Sequence, residues 1–167
     1  MGGRPSTIPD SATDVVELEL PARAEVVSVA RLVVGALVAA DPLFDEERNA
    51  DVRLAVSEAC TNAIQAQQAC GPSVAAVPIM VRAVVSIGHL ELEVTDHGTG
   101  FDPGDIEPHP AVTDPARLDH EGGLGIPLIR LLSDHVEFRA TPDGTTVEMI
   151  FEPRSPNGDT VLTVVQG

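Results

Sequence analysis

Lysine, tryptophan and tyrosine are absent from this chain, and phenylalanine occurs only four times. Without lysine there is no Walker-type phosphate loop, which places a lysine on the phosphates, and no lysine Schiff-base chemistry. The ten basic residues are all Arg, set against 26 Asp and Glu, for a formal net charge of −16. That charge repels nucleic acid and anionic membranes. The shortage of aromatic rings removes the stacking platforms used for single-stranded nucleic acid. No 18-residue apolar run and no signal-peptide pattern is present, so the expectation is a cytoplasmic protein with no membrane and no direct nucleic-acid partner. Cysteine is limited to Cys60 and Cys70, ten apart in an Ala-rich segment with no C-x-x-C, and both are read as small buried hydrophobes. An anionic ligand would therefore depend on backbone N–H groups, Arg and a metal ion.

What is present suits one domain with tails. The 167 residues can bury roughly 70% of their unfolded surface without a staple. Residues 1–13 are rich in Gly, Pro, Ser and Asp and are expected to be a disordered tail. Val15 to Leu20 alternates as a half-buried strand does. Ala24 to Ala40 carries Val26, Val29, Ala30, Val33, Val34, Leu37 and Val38 at helical spacing. Asp41-Pro42 breaks that helix, and Asp45, Glu46 and Glu47 open a second one reaching Ala69. Its buried stripe is Val52, Ala55, Val56, Ala59 and Ala63, and Gly71-Pro72 closes it. Ile79 to Ser86 and Leu90 to Thr95 read as strands around a turn at Ile87-Gly88-His89. Residues 101–121 hold four Pro and many Asp and His with little periodicity, which fits a functional lid or a disordered segment. Gly125 to His135 is a short helix. Val136 to Ala140 and Thr145 to Phe151 close the chain as a hairpin across Pro142-Asp143-Gly144. Beyond Pro153 lies a tail in which Val161 to Val165 could add an edge strand. The domain thus spans 14–152. The order β-α-α-β-β-lid-α-β-β, with clustered antiparallel strands, indicates an α+β two-layer sandwich.

Three boxes carry the chemistry. Leu90 to Val94 feeds Asp96-His97-Gly98-Thr99-Gly100, an Asp at a strand end beside glycines that permit φ > 0 and close approach to a ligand. Upstream, Glu58, Asn62 and Gln65 fall at i, i+4 and i+7 on one polar stripe. Downstream, Glu121-Gly122-Gly123-Leu124-Gly125 opens a helix whose free N–H groups can hold phosphate oxygens. Each signal also has a plainer reading: a solvated helix stripe, an Asp capping its own turn, and for Thr145 an ordinary β-branched strand residue. The five His are read as surface or lid residues and Arg130 as a member of a surface ion pair.

Together these boxes resemble those of the GHKL ATPase/kinase superfamily. Arg53-Leu54-Ala55-Val56-Ser57-Glu58-Ala59-Cys60-Thr61-Asn62-Ala63 is similar to its N box. Asp96 to Gly100 resembles the G1 box, Glu121 to Gly125 the G2 box, and Gly144-Thr145-Thr146-Val147 the last box. Within the superfamily the likeness is to the anti-sigma-factor serine kinases of the RsbW/SpoIIAB type, over about Val15 to Phe151. The resemblance implies the Bergerat ATP-binding fold, a mixed, mostly antiparallel sheet with helices on one face and residues 101–121 as the ATP lid. It implies ATP and Mg²⁺ as cofactors, with Asn62 on the metal and Glu58 as the general base. Asp96 would accept a hydrogen bond from the adenine amino group. Gly98, Gly100, Gly122, Gly123, Gly125 and Thr145 would complete the nucleotide site. The implied partners are a sigma factor and a small antagonist protein phosphorylated on Ser or Thr, with the kinase as a homodimer. The alternative is a non-catalytic nucleotide-binding switch that sequesters a partner. The family commonly continues its N box as N-A-x-x-H-A, whereas this chain has Ala66 and Gln67 at the last two positions.

Overall fold

Alternation in five short segments decides the architecture. In the structure, a computed structural model, residues 13–99 and 125–154 are described. The strands are β1 (Asp14–Leu20), β2 (Ile79–Ser86), β3 (His89–Thr95), β4 (His135–Thr141) and β5 (Gly144–Phe151). They form one sheet in the order β1-β2-β3-β5-β4, and every described pair is antiparallel. One face presents Leu20, Ile79, Val81, Ala83, Leu90, Leu92, Val94, Val147, Met149 and Phe151, all buried. The opposite face carries a row that crosses all five strands in register: Glu17, Arg82, Glu93, Glu148, Glu137. Arg82 bridges Glu17 and Glu93, and Arg139 bridges Glu93 and Glu148. A period of two places apolar and charged residues on separate faces, so only one face can take a helix layer.

That layer is α1 (Val27–Ala39) and α2 (Glu46–Ala69), with the single turn α3 (Pro72–Ala75) and α4 (Gly125–Leu132) beside it. Asp45 caps α2 by accepting a hydrogen bond from the Arg48 N–H at 2.6 Å, and Glu46 and Glu47 oppose the dipole in the first turn. The expected stripe of Val52, Ala55, Val56, Ala59 and Ala63 is buried, joined by Cys60 and Ile64. On α1 the expected stripe is too broad. Ala30, Val34 and Val38 are buried, but Val29 lies 44% exposed. At Gly35 the two helices come so close that an added methyl would meet the Arg53 side chain at 2.9 Å. Gly71 takes φ +94, and Pro72 then starts α3 instead of simply ending the helical region. The α4 helix ends at Leu132, short of the expected His135, because the Ser133 hydroxyl bonds back to the Ile129 carbonyl and Asp134 turns into the hairpin.

Arg48 ties these pieces together from a buried position. Its guanidinium donates to the carbonyls of Glu152 (2.9 Å) and Leu132 (2.7 Å) and pairs with Asp134, while lying 5.1 Å from the Phe151 ring centroid. It therefore joins the start of α2, the end of α4 and the end of β5. No described helix is long and apolar enough to cross a membrane. The expected tails, the 101–121 segment and the Val161–Val165 strand lie outside the described residues.

Replacing Arg48 by Met strands two carbonyls and the half-exposed Asp134 carboxylate. We expect urea denaturation to show a loss of about 3 kcal/mol, toward the low end for breaking a buried pair because Asp134 reaches solvent. Lysine should restore little of it, since a single ammonium cannot reproduce the planar fork.

Candidate nucleotide site

Five elements, α2, α4, β3, β4 and β5, converge on a cavity of about 250 Å³ between the helix layer and the sheet. On α2, Ala59, Ala63 and Ala66 leave the space open because their side chains stop at Cβ; Val94, Val147, Ile126 and Phe138 supply the apolar walls. Asp96, Asn62 and Thr145 are polar groups in that lining. A slot with apolar faces and a few fixed polar atoms suits a flat heterocycle.

Asp96 is the most constrained of them. It ends β3 and is 6% exposed. Its N–H donates to the Thr145 carbonyl at 2.9 Å, while Oδ1 accepts from the N–H groups of Gly98 (2.8 Å) and Thr145 (3.3 Å). The plainer reading of Asp96 is observed, since one oxygen caps the turn, and the other oxygen takes no hydrogen bond among the described residues. Burial pushes its pKa above the ordinary carboxylate value, opposed by the Gly98 and Thr145 N–H groups and by nearby His97. Beside it Thr145 is 2% exposed, and its hydroxyl has no partner among the described residues. A free carboxylate oxygen and an unpaired buried hydroxyl at one end of an apolar slot match the donor and acceptor edge of adenine, so the residues present fit an adenine nucleotide.

Gly144 makes this junction possible. At φ +146 it approaches Asp96 so closely that a Cβ would lie 1.9 Å from the Asp96 carbonyl oxygen. Gly98 does not use the positive φ that glycine permits. Among the described residues only Gly71, Gly88 and Gly144 have it. Gly98 is small for a different reason: a Cβ there would meet the Cβ of Ala66 at 3.0 Å.

Glu58 and Asn62 stand one helical turn apart on α2, both half-buried. Both face Gly125 at the start of α4. A methyl on Gly125 would lie 2.9 Å from Asn62 Nδ2, 3.0 Å from its Oδ1 and 3.2 Å from Glu58 Oε2. The N box and the end of the G2 box are therefore in contact. Gly100, Gly122 and Gly123 lie outside the described residues. Among the described residues no cluster of His, Cys, Asp and Glu is arranged to hold a metal; Asn62, which lines the cavity, carries a neutral oxygen of the kind a hard cation such as Mg²⁺ accepts.

Some assignments change. Arg130 stacks 5.0 Å from the Phe138 ring centroid, and the expected ion pair is not formed among the described residues. Cys60 is buried with its thiol pushed up to about 12, which leaves it inert, and Cys70 is half-buried. Sequence reasoning places Gly144 in the closing turn and the last box and Gln67 beside the N box, but gives neither a role in holding the site. Gln67 is fully buried, and its Oε1 accepts the His97 N–H at 3.0 Å. The run Gln65-Ala66-Gln67-Gln68 contains three glutamines that sequence alone does not rank.

Asp96→Asn separates stability from binding. The raised pKa means the charged carboxylate opposes folding above that pKa and the neutral acid does not. We expect thermal melts of the nucleotide-free protein at neutral pH to favour the Asn variant. The gap should close as pH falls through the raised Asp96 pKa, where both side chains are neutral. Nucleotide binding should be lost in the same variant, since an amide hydrogen can replace the free oxygen.

Comparison with known proteins places this geometry. The histidine kinase-like ATPase domain family matches residues 20–151. The serine-protein kinase RsbW of Bacillus pumilus (strain SAFR-032) is 35% identical over 144 residues, covering 84% of this chain and 86% of that relative. RsbW of Bacillus subtilis (strain 168) is 33% identical over 140 residues, 81% of this chain and 84% of the relative. A protein of Thermoanaerobacter sp. (strain X514) named anti-sigma F factor is 34% identical, over 82% of this chain and 92% of its own length. Among solved structures, the RsbU and RsbW domains of Rv1364c from Mycobacterium tuberculosis superpose with a TM-score of 0.60 at 17% identity. That match covers 83% of this chain and 32% of the other and bears on the fold alone. The chain belongs to the histidine kinase-like ATPase domain family and, within it, to the RsbW-type serine-protein kinases.

Proposed function

We propose that this chain is an ATP-dependent serine/threonine protein kinase and anti-sigma factor, which binds a sigma factor and phosphorylates a small antagonist protein. The observation that carries this reading is the contact of Glu58 and Asn62 with the first residue of α4. A carboxylate and a neutral oxygen donor, one turn apart, border the backbone that follows the glycine box. Asp96 and Thr145 stand at the adenine end of the same cavity.

The residue roles follow from their chemistry. Asp96 Oδ2 accepts from the adenine amino group, with the Thr145 hydroxyl beside it. Gly98 keeps the Asp96 turn against α2, and Gly100 is assigned to the nucleotide site on the box resemblance alone. Gly122, Gly123 and Gly125 offer backbone N–H groups to phosphate oxygens at the start of α4, in place of the missing lysine. Asn62 holds Mg²⁺, which when bound neutralises charge on the phosphates. The Ser or Thr hydroxyl oxygen of the antagonist attacks the γ-phosphorus, the bond from that phosphorus to the β–γ bridging oxygen breaks, and ADP leaves. Glu58 takes the hydroxyl proton. Its position counts for more than its basicity, because phosphoryl transfer rests mainly on orientation and charge neutralisation. Phosphorylation would release the antagonist and return the inhibitor, acting as a homodimer, to sigma in the cytoplasm. The RsbW and anti-sigma F names of the relatives support this assignment of partners.

Calorimetric titration with ATP, with and without Mg²⁺, tests the site. The parent chain should bind with magnesium dependence, and Asn62→Ala should weaken binding and remove that dependence. Glu58→Gln should bind ATP as the parent does but transfer phosphate to the antagonist about 10²–10⁴-fold more slowly. Absence of ATP binding at millimolar concentration would sink the kinase reading. Binding without transfer in the parent would favour the switch.

A further inference from the structure

Gln67 is fully buried on an otherwise Ala-rich stretch of α2, and both amide hydrogens and the amide oxygen find partners. Nε2 donates to the carbonyls of Val74 (3.1 Å) and Val77 (2.7 Å), and Oε1 accepts the His97 N–H (3.0 Å). The orientation of the amide is fixed by its partners, since two carbonyls can only accept and an N–H can only donate. One side chain thus joins α2, the segment around α3 and the residue after Asp96. His97 itself is exposed, so this peptide has water as a competing partner.

Three successive N–H groups hold the turn that carries Asp96. The Asp96 N–H goes to Thr145 on β5, the Gly98 N–H goes to the Asp96 carboxylate, and the His97 N–H goes to Gln67. Only the last reaches the helix layer. The cavity lies between that layer and the sheet, so its width at Asp96 depends on how the turn is held against α2. Ala66 in contact with Gly98 sets the closest approach, and Gln67 next to it prevents separation.

We propose that Gln67 is a positioning residue that sets base selectivity, by holding the Asp96–His97 peptide against α2 so that the free Asp96 oxygen meets the exocyclic group of the base. This rests on the reading of the cavity as a nucleotide site. A fixed carboxylate accepts from the adenine amino group and repels the carbonyl oxygen that guanine carries at that position. A buried polar site that matches one group discriminates strongly against an analogue that cannot pair with it. When the peptide is released, the attraction and the repulsion both fade, whereas the phosphate contacts near Asn62 and Gly125 stay. Selectivity therefore falls more than affinity for nucleotides in general.

The test is calorimetric binding of ATP and of GTP, each with Mg²⁺, to the parent chain and to Gln67→Met, which keeps length and helix propensity without hydrogen bonds. The ATP dissociation constant should rise about tenfold, the loss of roughly one buried hydrogen bond. GTP binding should change less than about threefold on the same scale, so the preference narrows. Fitted stoichiometry counts only folded protein, so partial unfolding does not imitate this result. An unchanged ATP-to-GTP ratio in Gln67→Met, with a selective parent, would overturn the role of Gln67 and leave the nucleotide reading standing. Equal weakening of both nucleotides would do the same. Should Gln67→Met fail to fold, Gln67→Ala leaves room for water to pair with the Val74 and Val77 carbonyls while still freeing the His97 peptide. Its ATP-over-GTP preference should narrow too, and an unchanged preference there would overturn the proposal. A parent that binds neither nucleotide overturns the reading of the cavity and this proposal with it.

Discussion

A buried carboxylate with one oxygen spent on the fold and the other left open is the constraint on which this structure turns. Burying Asp96 is costly, which is why its pKa is pushed up. The cost is offset by N–H groups from Gly98 and Thr145 that converge on Oδ1. To bring Thr145 there, β5 must start close to the end of β3, and only a residue without Cβ can occupy position 144. To bring Gly98 there, the turn must press on Ala66, which again demands glycine on one side and a small residue on the other. The G1 glycine, the hairpin glycine and the alanines of α2 are thus answers to one packing problem.

The same logic explains what could be read in advance. Period-two alternation in β1, β2 and β3 and the Ala/Val stripe of α2 gave the sandwich, because face segregation is a property of local sequence. Glu58, Asn62 and Asp96 were legible from spacing and from their resemblance to known boxes. Gln67 was not, since burial alone distinguishes it from Gln65 and Gln68 nearby. At Gly98 the freedom of φ that glycine permits is not what is used. Glycine there answers a tertiary contact with Ala66, thirty-two positions away, which no local rule contains. Val29 on α1 failed similarly, because helical spacing defines a stripe but the neighbouring layer decides how much of it is covered. The same ambiguity applied to Arg130, whose neighbour proved to be the Phe138 ring instead of a carboxylate.

Charge raises a last question: how a chain of net charge −16 with no lysine can receive a polyanion. Among the described residues the answer lies in where the carboxylates stand. Glu17, Glu93, Glu137 and Glu148 occupy the face of the sheet turned away from α2, and Arg82 and Arg139 already pair with them. That pairing partly cancels the negative field of the face, and so reduces what reaches the cavity. Around the cavity the walls are apolar, and the polar groups nearest Gly125 are one carboxylate and one amide. On the function proposed above, only a local, compensated approach then favours an anion: backbone N–H groups at the start of α4 together with a divalent cation. Such a site gains little from long-range steering. Its selectivity has to come from fixed short-range geometry, which places the burden on the side chains that hold the Asp96 turn still.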